Sequence, residues 1–403
     1  MGTSTEDQEL APAGDGNVNA VASTAAEPAR RVRLEYLDGL RGLAALYVVF
    51  HHAAFSFYTA GELPHRLLLF LKPLAYGHFS VDLFIVLSGY CLMLPVARSK
   101  DGLLKGGFAE YIRRRGRRIL PPYFAALVLS AALDWTAWHL PGAGSRQNHF
   151  SDITAGGVLS HLFLLHNLSP AWIQQIDIPM WSVATEWQIY FVFALLLLPI
   201  WRRMGIWPTV AIAFIIGLAP HYLMKHPEML DPARFWYIGL FTLGMAGAVV
   251  NFSTASNRPE LRARMPWMTL SAICGFSMIA ASVAMPGYWT THPWLIDPWA
   301  GLAAACLIIA CTRISISSGS QLAPAQPWLL RALDAPAIRR LGAFSYSLYL
   351  VHYPVLQIVD LLVARVVHSP AKAVLIDIAA GVPIAVVIAY VFYLAFERRF
   401  STA

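Results

Sequence analysis

The chain has 403 residues, of which 57% are hydrophobic and only 13% charged, and its mean hydropathy is +0.53. A soluble domain carries about 25% charged residues, so much of this surface is built to meet something other than water, and a soluble multidomain architecture is excluded. The formal net charge of +7 does not signal nucleic acid, because the basic residues cluster at the ends of apolar runs, the positive-inside pattern of membrane proteins.

Residues 1–33 open with a segment rich in Ala, Gly, Thr, Asn, Asp and Glu that has no apolar core of a signal peptide. The expectation is a disordered cytosolic tail, with Arg30, Arg31 and Arg33 marking membrane entry. Apolar runs then predict about ten transmembrane helices, near 40–58, 76–97, 119–139, 181–201, 205–224, 234–252, 266–284, 296–313, 342–363 and 373–396. Stretches 67–75 and 158–168 read as interfacial or re-entrant, or as an extra span. The fold class is therefore all-α, a polytopic integral membrane protein with both termini cytosolic. Its membrane domain is expected over 34–399, with a short cytosolic tail at 400–403. Lys and Arg split 22 to 7 between the inside and outside segments of this map, which supports the orientation. No internal repeat of a transporter type is visible. Cys91, Cys274, Cys306 and Cys311 fall in apolar stretches without metal spacing and read as core residues, with no metal site expected.

Ionisable residues inside a bilayer are costly, so each is a candidate for function. The first span carries Leu37-Asp38-Gly39-Leu40-Arg41-Gly42, then His51-His52. Arg41 and His52 are 11 residues apart, about 1,100° of helix, so they share one face about 16 Å apart along the axis. A cation at the cytosolic mouth and a titratable base at mid-membrane suit a long ligand that enters tail first, and acyl-CoA has that form. The plain alternative for His52 is a packing histidine. The second span holds Asp82 one turn inside the outer face, suited to pairing with a cation or steering a histidine, and deeper Ser88-Gly89, which also suits simple helix packing. Arg113, Arg114, Arg115, Arg117 and Arg118 precede the third span. They read as topological anchors, as a cradle for phosphates that guanidinium groups bind bidentately, or as both. In the fourth span Ser182, Glu186 and Tyr190 form one stripe after Trp181, expected to open outward toward an acceptor hydroxyl. In the ninth, His352 follows Tyr349 near mid-membrane and reads as a partner-holding residue.

These blocks, in this order over residues 34 to about 399, resemble the membrane acyltransferase type 3 family. That family includes O-acetyltransferases of envelope polysaccharides and enzymes that acylate macrolides. The specific parts are Leu37–Gly42 with His52, Val81-Asp82-Leu83-Phe84 with Ser88-Gly89, Arg114-Arg115-x-x-Arg118-Ile119-x-Pro121, Trp181-Ser182 with Glu186, and Ser345-Tyr346-x-Leu348-Tyr349-Leu350-x-His352. Ser80 and Tyr90 depart from the usual glycine and phenylalanine. The resemblance implies that His52 is the essential histidine and that Arg41, Arg115 and Arg118 serve the donor. Catalytic roles are accordingly expected for His52, Glu186 and Asp82. Donor binding is expected for Arg41, Arg114, Arg115, Arg118 and Ser88, with support from His352, Tyr349, Trp181 and Ser182.

The expected reaction moves an acyl group, acetyl first, from cytosolic acyl-CoA to a hydroxyl of a cell-envelope polysaccharide or glycoconjugate, with His52 as general base or transient acyl carrier. Acyl-CoA is then a co-substrate and no cofactor is bound. The partners are the donor, a glycan acceptor and the lipid bilayer, not nucleic acid, and the location is the cell membrane as a multi-pass protein. A secreted small molecule such as a macrolide is the alternative acceptor. Two readings from other classes are a transporter or flippase with an intramembrane His/Glu relay, and a receptor or scaffold.

Overall fold

A bilayer offers no water to backbone N–H and C=O groups, so apolar spans close their hydrogen bonds internally as helices. The computed structural model describes residues 1–2, 34–58, 61–138, 153–253, 265–317 and 327–401, and these contain helices and turns but no strand. Apart from its first two residues, the tail expected at 1–33 lies outside them, as do residues 402 and 403. Residues from Leu34 onward form one compact unit.

In chain order the helices are α1 (Tyr36–Phe55), short α2 (His65–Leu71), α3 (His78–Arg98), α4 (Gly107–Trp138), short α5 (Ala155–Leu162) and α6 (Met180–Val192). A π-helical turn, Phe193–Leu197, carries α6 into α7 (Leu198–Met204). Next come α8 (Ile206–Leu223), α9 (Tyr237–Phe252), α10 (Trp267–Ala284), short α11 (Pro286–Thr291), α12 (Pro293–Ser317), α13 (Trp328–Leu333), α14 (Pro336–Ala343) and α15 (Ser345–Ala364). The chain finishes with α16 (Pro370–Ile376), α17 (Val382–Phe392) and α18 (Arg398–Ser401), linked by further π turns. Gly205, at φ +82°, makes the reversal between α7 and α8 in a backbone region that favours glycine.

Among the described residues nine helical runs are long and apolar enough to cross a membrane. α1 carries Asp38, Arg41, His51 and His52 in its 20 residues and is not among them. With α1 added, these nine runs match the ten expected spans one for one. Residues 67–75 pass through α2 and a 3-10 turn toward α3, and 158–168 cover α5 and a second such turn, so neither stretch makes a separate span.

Burial sorts the helices. The apolar window of the α9 run is 83% buried and that of α15 78%, against 17% for α10, so α9 and α15 stand inside while α10 forms outer wall. Ile215, Phe276, Val387 and Val391 are exposed on the outer helices, an apolar surface of the kind that meets lipid. α3 and α9 cross closely because a Cβ on Gly89 would strike the Phe241 carbonyl, and one on Gly244 the Val86 carbonyl. Gly39 and Gly42 of α1 meet the backbone of Leu333 and of α14 in the same way. The glycines of the Leu37–Gly42 block therefore serve packing, which holds Arg41 at a fixed place on α1.

Candidate active site

The two mid-helix histidines meet where α1 packs on α15. His352 Nδ1 lies 2.8 Å from the Tyr349 carbonyl and 3.1 Å from that of Leu348. A carbonyl only accepts, so His352 carries its proton on Nδ1 and leaves Nε2 as an acceptor. His52 Nδ1, 2.8 Å away, must then donate to it. Donor–acceptor matching thus fixes both tautomers, and the lone pair of His52 is left on Nε2. The rings stack with centroids 5.0 Å apart, and Tyr353 packs edge-on against His52 at 5.3 Å. A base whose ring is held in one tautomer by a second group is the logic of the nucleophile–base–orienter arrangements of hydrolases. His51 is employed otherwise. Its Nδ1 sits 2.9 Å from the Leu74 carbonyl, and its ring fills the space beside Gly77.

A cavity of about 130 Å³ lies on the arginine side of this pair. α1 contributes Arg41, α3 Ser88 and Cys91, and α4 Arg115 and Arg118. α6 adds Ser182, Glu186 and Tyr190, and α15 adds Tyr346 and Tyr349. Arg41 donates to Cys91 Sγ at 3.0 Å and to Asp38 at 3.3 Å. The Nε–H of Arg115 is buried with no partner among the described residues. An unmet buried donor on a cation is costly, and an anionic or carbonyl oxygen in the cavity would meet it. Tyr190 O–H donates to Glu186 at 2.7 Å and lies 3.3 Å from Ser88 Oγ. Ser182 Oγ and Tyr349 O–H are 2.6 Å apart, and Tyr349 also donates to the Pro179 carbonyl. The ring of Tyr349 lies 5.8 Å from that of His352, so the cavity reaches toward the histidine pair through one side chain.

The expected site residues divide accordingly. Arg41, Ser88, Arg115, Arg118, Ser182, Glu186 and Tyr349 come together around one cavity. His52 and His352 form the adjacent pair and are not part of its lining. Arg114 is engaged elsewhere, donating to Glu110 and to the Lys105 carbonyl. The Ser182–Glu186–Tyr190 stripe was expected to open outward toward an acceptor. It shares the cavity of the arginines, because its face of α6 bonds to Ser88 of α3 and Tyr349 of α15. Asp82 is fully buried and stands with Asp297, Arg234 and Tyr237 instead of with His52. Trp181 lies on the far side of Ser182 under the Arg234 guanidinium, 5.0 Å from its ring.

Arg234, Asp297 and Tyr346 escaped the sequence reading. Arg234 and Trp236 both donate to Asp297 Oδ2 at 2.8 Å. A signal was present, since Asp297 is a lone acid at the start of an expected span and Arg234 the first residue of another, and such charges are functional candidates by default. Among the described residues no group of three or more His, Cys, Asp or Glu is placed to hold a metal.

A family model described as an acyltransferase domain matches residues 34–394. The chain is 25% identical to acyltransferase MdmB of Streptomyces mycarofaciens over 82% of its own length and 81% of that protein's. It is 24% identical to a putative membrane-bound transacylase, BcsY, of Komagataeibacter xylinus, over 84% and 76%. It is also 23% identical to the peptidoglycan O-acetyltransferase OatA of Listeria monocytogenes over 79% of its length, but spans only about half, 49%, of that relative. No solved structure matches the chain.

Proposed function

The chain belongs to this acyltransferase family, a multi-pass membrane enzyme, and from that premise we propose that it carries an acyl group, acetyl first, from cytosolic acyl-CoA to a hydroxyl of a cell-envelope polysaccharide or glycoconjugate. The observation that carries the reading is the ordered pair His352–His52. Its hydrogen bonding leaves His52 Nε2 with a free lone pair, and His352 adjoins Tyr349, which lines the cavity together with Arg41, Arg115 and Arg118. The arginines suit the donor's phosphates and its thioester carbonyl. The termini and the arginine cluster then lie in the cytosol.

In the reaction His52 Nε2 accepts the proton of the acceptor hydroxyl as its oxygen attacks the thioester carbonyl. The C–S bond breaks, and the thiolate takes that proton and leaves as free thiol. General base help of this kind is worth about 10²–10⁴-fold. Imidazolium formed at His52 keeps its Nδ1–H on His352, so the ring need not turn during the proton transfer. The transporter and scaffold readings leave the arginine-lined cavity beside a tautomer-fixed histidine without a role.

The test is acyl-CoA turnover by purified protein, with free thiol measured against a panel of saccharide acceptors. Acceptor-dependent thiol release falls by at least about 10²-fold in His52→Ala, while His51→Ala, if folded, stays active. Equal turnover in wild type and His52→Ala would remove His52 from the chemistry.

A further inference from the structure

Crossings alternate direction, so the connections after the third, fifth and seventh crossings (α4 to α6, α8 to α9, α10 to α12) share one face of the bundle. The arginine-rich α3–α4 connection lies on the other. On the first face those three connections enclose a second pocket, of about 430 Å³. That is within the roughly 300–1,000 Å³ range of small-molecule sites, and over three times the inner cavity. Its walls carry three indoles, Trp181, Trp236 and Trp294, the carboxylates of Glu228 and Asp231, the Arg234 guanidinium and the threonine hydroxyls of α11. We propose that this pocket binds the acceptor as a polyhydroxylated ring, a sugar residue, held on the face opposite the donor arginines.

Three observations carry this, together with the reaction proposed above, on which its acceptor role rests. The chemistry is that of sugar recognition: the half-buried indoles of Trp181 and Trp294 for ring C–H groups, with Trp236 itself fully buried, and carboxylates and hydroxyls for ring O–H groups. Arg234 is held by Asp297 at 2.8 Å and covers Trp181, Asp231 lies 3.0 Å from His221, and Glu228 lies 3.1 Å from His226. The two histidines balance Asp231 and Glu228 only when protonated, so the pocket offers acceptors for hydroxyl protons and does not call for an anion.

The wall is also specified at a cost in backbone conformation. Arg234 (φ +49°) and Ile176 (φ +65°) hold left-handed backbone in the connections that form it. A β-branched residue rarely adopts that region, and such residues concentrate at functional sites.

Finally, the two chambers are back to back. Trp181 faces the outer pocket, and the next residue, Ser182, lines the inner cavity and lies 2.6 Å from Tyr349 O–H. The first turn of α6 is therefore the partition between acceptor and donor.

The experiment uses the full chain in lipid nanodiscs. Its intrinsic tryptophan fluorescence is titrated with three probes: an N-acetylglucosamine oligomer, a cello-oligosaccharide and a macrolide glycoside. The same probes then serve as acceptors in the thiol-release assay. The expected result is saturable quenching by at least one of them. Trp294→Ala and Glu228→Gln each weaken it about tenfold, the loss of one ring or charge-assisted contact. The acceptor KM rises by the same factor, and acyl-CoA affinity is unchanged. Glu228 is on the exposed rim, so its variant tests the pocket even if Trp294→Ala does not fold.

Oligomers acting alone identify a polymer as the source of the sugar, and the glycoside acting alone a secreted small molecule. Either supports the pocket. No saturable quenching by any probe, or quenching and acceptor KM indifferent to Glu228→Gln, overturns it. Quenching needs no chemistry, so sugar binding without thiol release would sink the acyl transfer reading and leave the sugar site standing.

Discussion

His51 and His52 are one residue apart and point about 100° from each other on α1. That turn gives one a loop carbonyl to hold and the other a partner histidine. The value of the partner can be measured. His352→Leu leaves the Nδ1–H of His52 unmatched and frees the ring to take the wrong tautomer, so kcat should fall by about 10²–10⁴-fold. His352→Gln offers an amide oxygen to that N–H and should keep a measurable part of the activity. Arg115 makes a separate prediction. Its side chain lines the cavity, so Arg115→Ala should raise the KM for acyl-CoA about tenfold or more, the loss of one charged hydrogen bond of about 1.5–3 kcal/mol. Titration of acyl-CoA at saturating acceptor checks it. Sequence period alone placed Arg41 and His52 on one face and showed that His51 was on another. It did not reveal that Arg41 would line the cavity while His52 would stand behind Tyr349, because the side chain between them comes from α15, about 300 residues later. Asp82 shows the same limit. Its depth in the bilayer was readable, whereas its neighbours Asp297 and Arg234 belong to other helices.

At the scale of elements, the α3–α9 crossing depends on two hydrogen atoms where methyl groups would go. Gly89→Ala drives its Cβ into the Phe241 carbonyl, and a backbone cannot step aside as a side chain can. Overpacking of this kind costs about 1–3 kcal/mol and should lower the melting temperature in detergent. Gly275→Ala has open space around it and should leave the melting temperature unchanged or raise it slightly.

The α5–α6 connection should respond to acid. Burial, with the His161 ring stacked at 3.8 Å, pushes His166 down to about 3 from its ordinary 6.5. The unfolded chain therefore binds the extra proton first. Stability is complete above about pH 6.5 and is lost as pH falls toward 3, by up to about 1.4 kcal/mol per unit. Melting curves over that range should be steeper in wild type than in His166→Phe. The spans themselves were legible because 20 apolar residues have one solution in a bilayer. The π turns at Phe193–Leu197, Asp377–Gly381 and Tyr393–Glu397 were not. They answer local packing, as when Glu397 turns in to accept from Ser347 N–H and O–H, and apolar composition is the same with or without them.

For the molecule as a whole, two chambers divided by one helical turn would, with donor and acceptor assigned to them as proposed above, let the acyl group cross the bilayer without either substrate doing so. The parity of crossings made the two faces of the bundle readable in the sequence, but the chambers depend on which helices stand inside. Hydropathy does not report that, since a lipid-facing helix such as α10 and a central one such as α9 are similarly apolar. The size of the inner chamber sets a further limit. A cavity of about 150 Å³ takes up benzene in another protein, and this one, at about 130 Å³, has Phe84, Ile85 and Leu92 among its walls. Each methylene added to a short acyl chain gains wall to lean on until the wall is reached, and the next one has nowhere to go. With the donor placed there as proposed, the bundle would act as a ruler, grading donors by length before any acceptor has arrived.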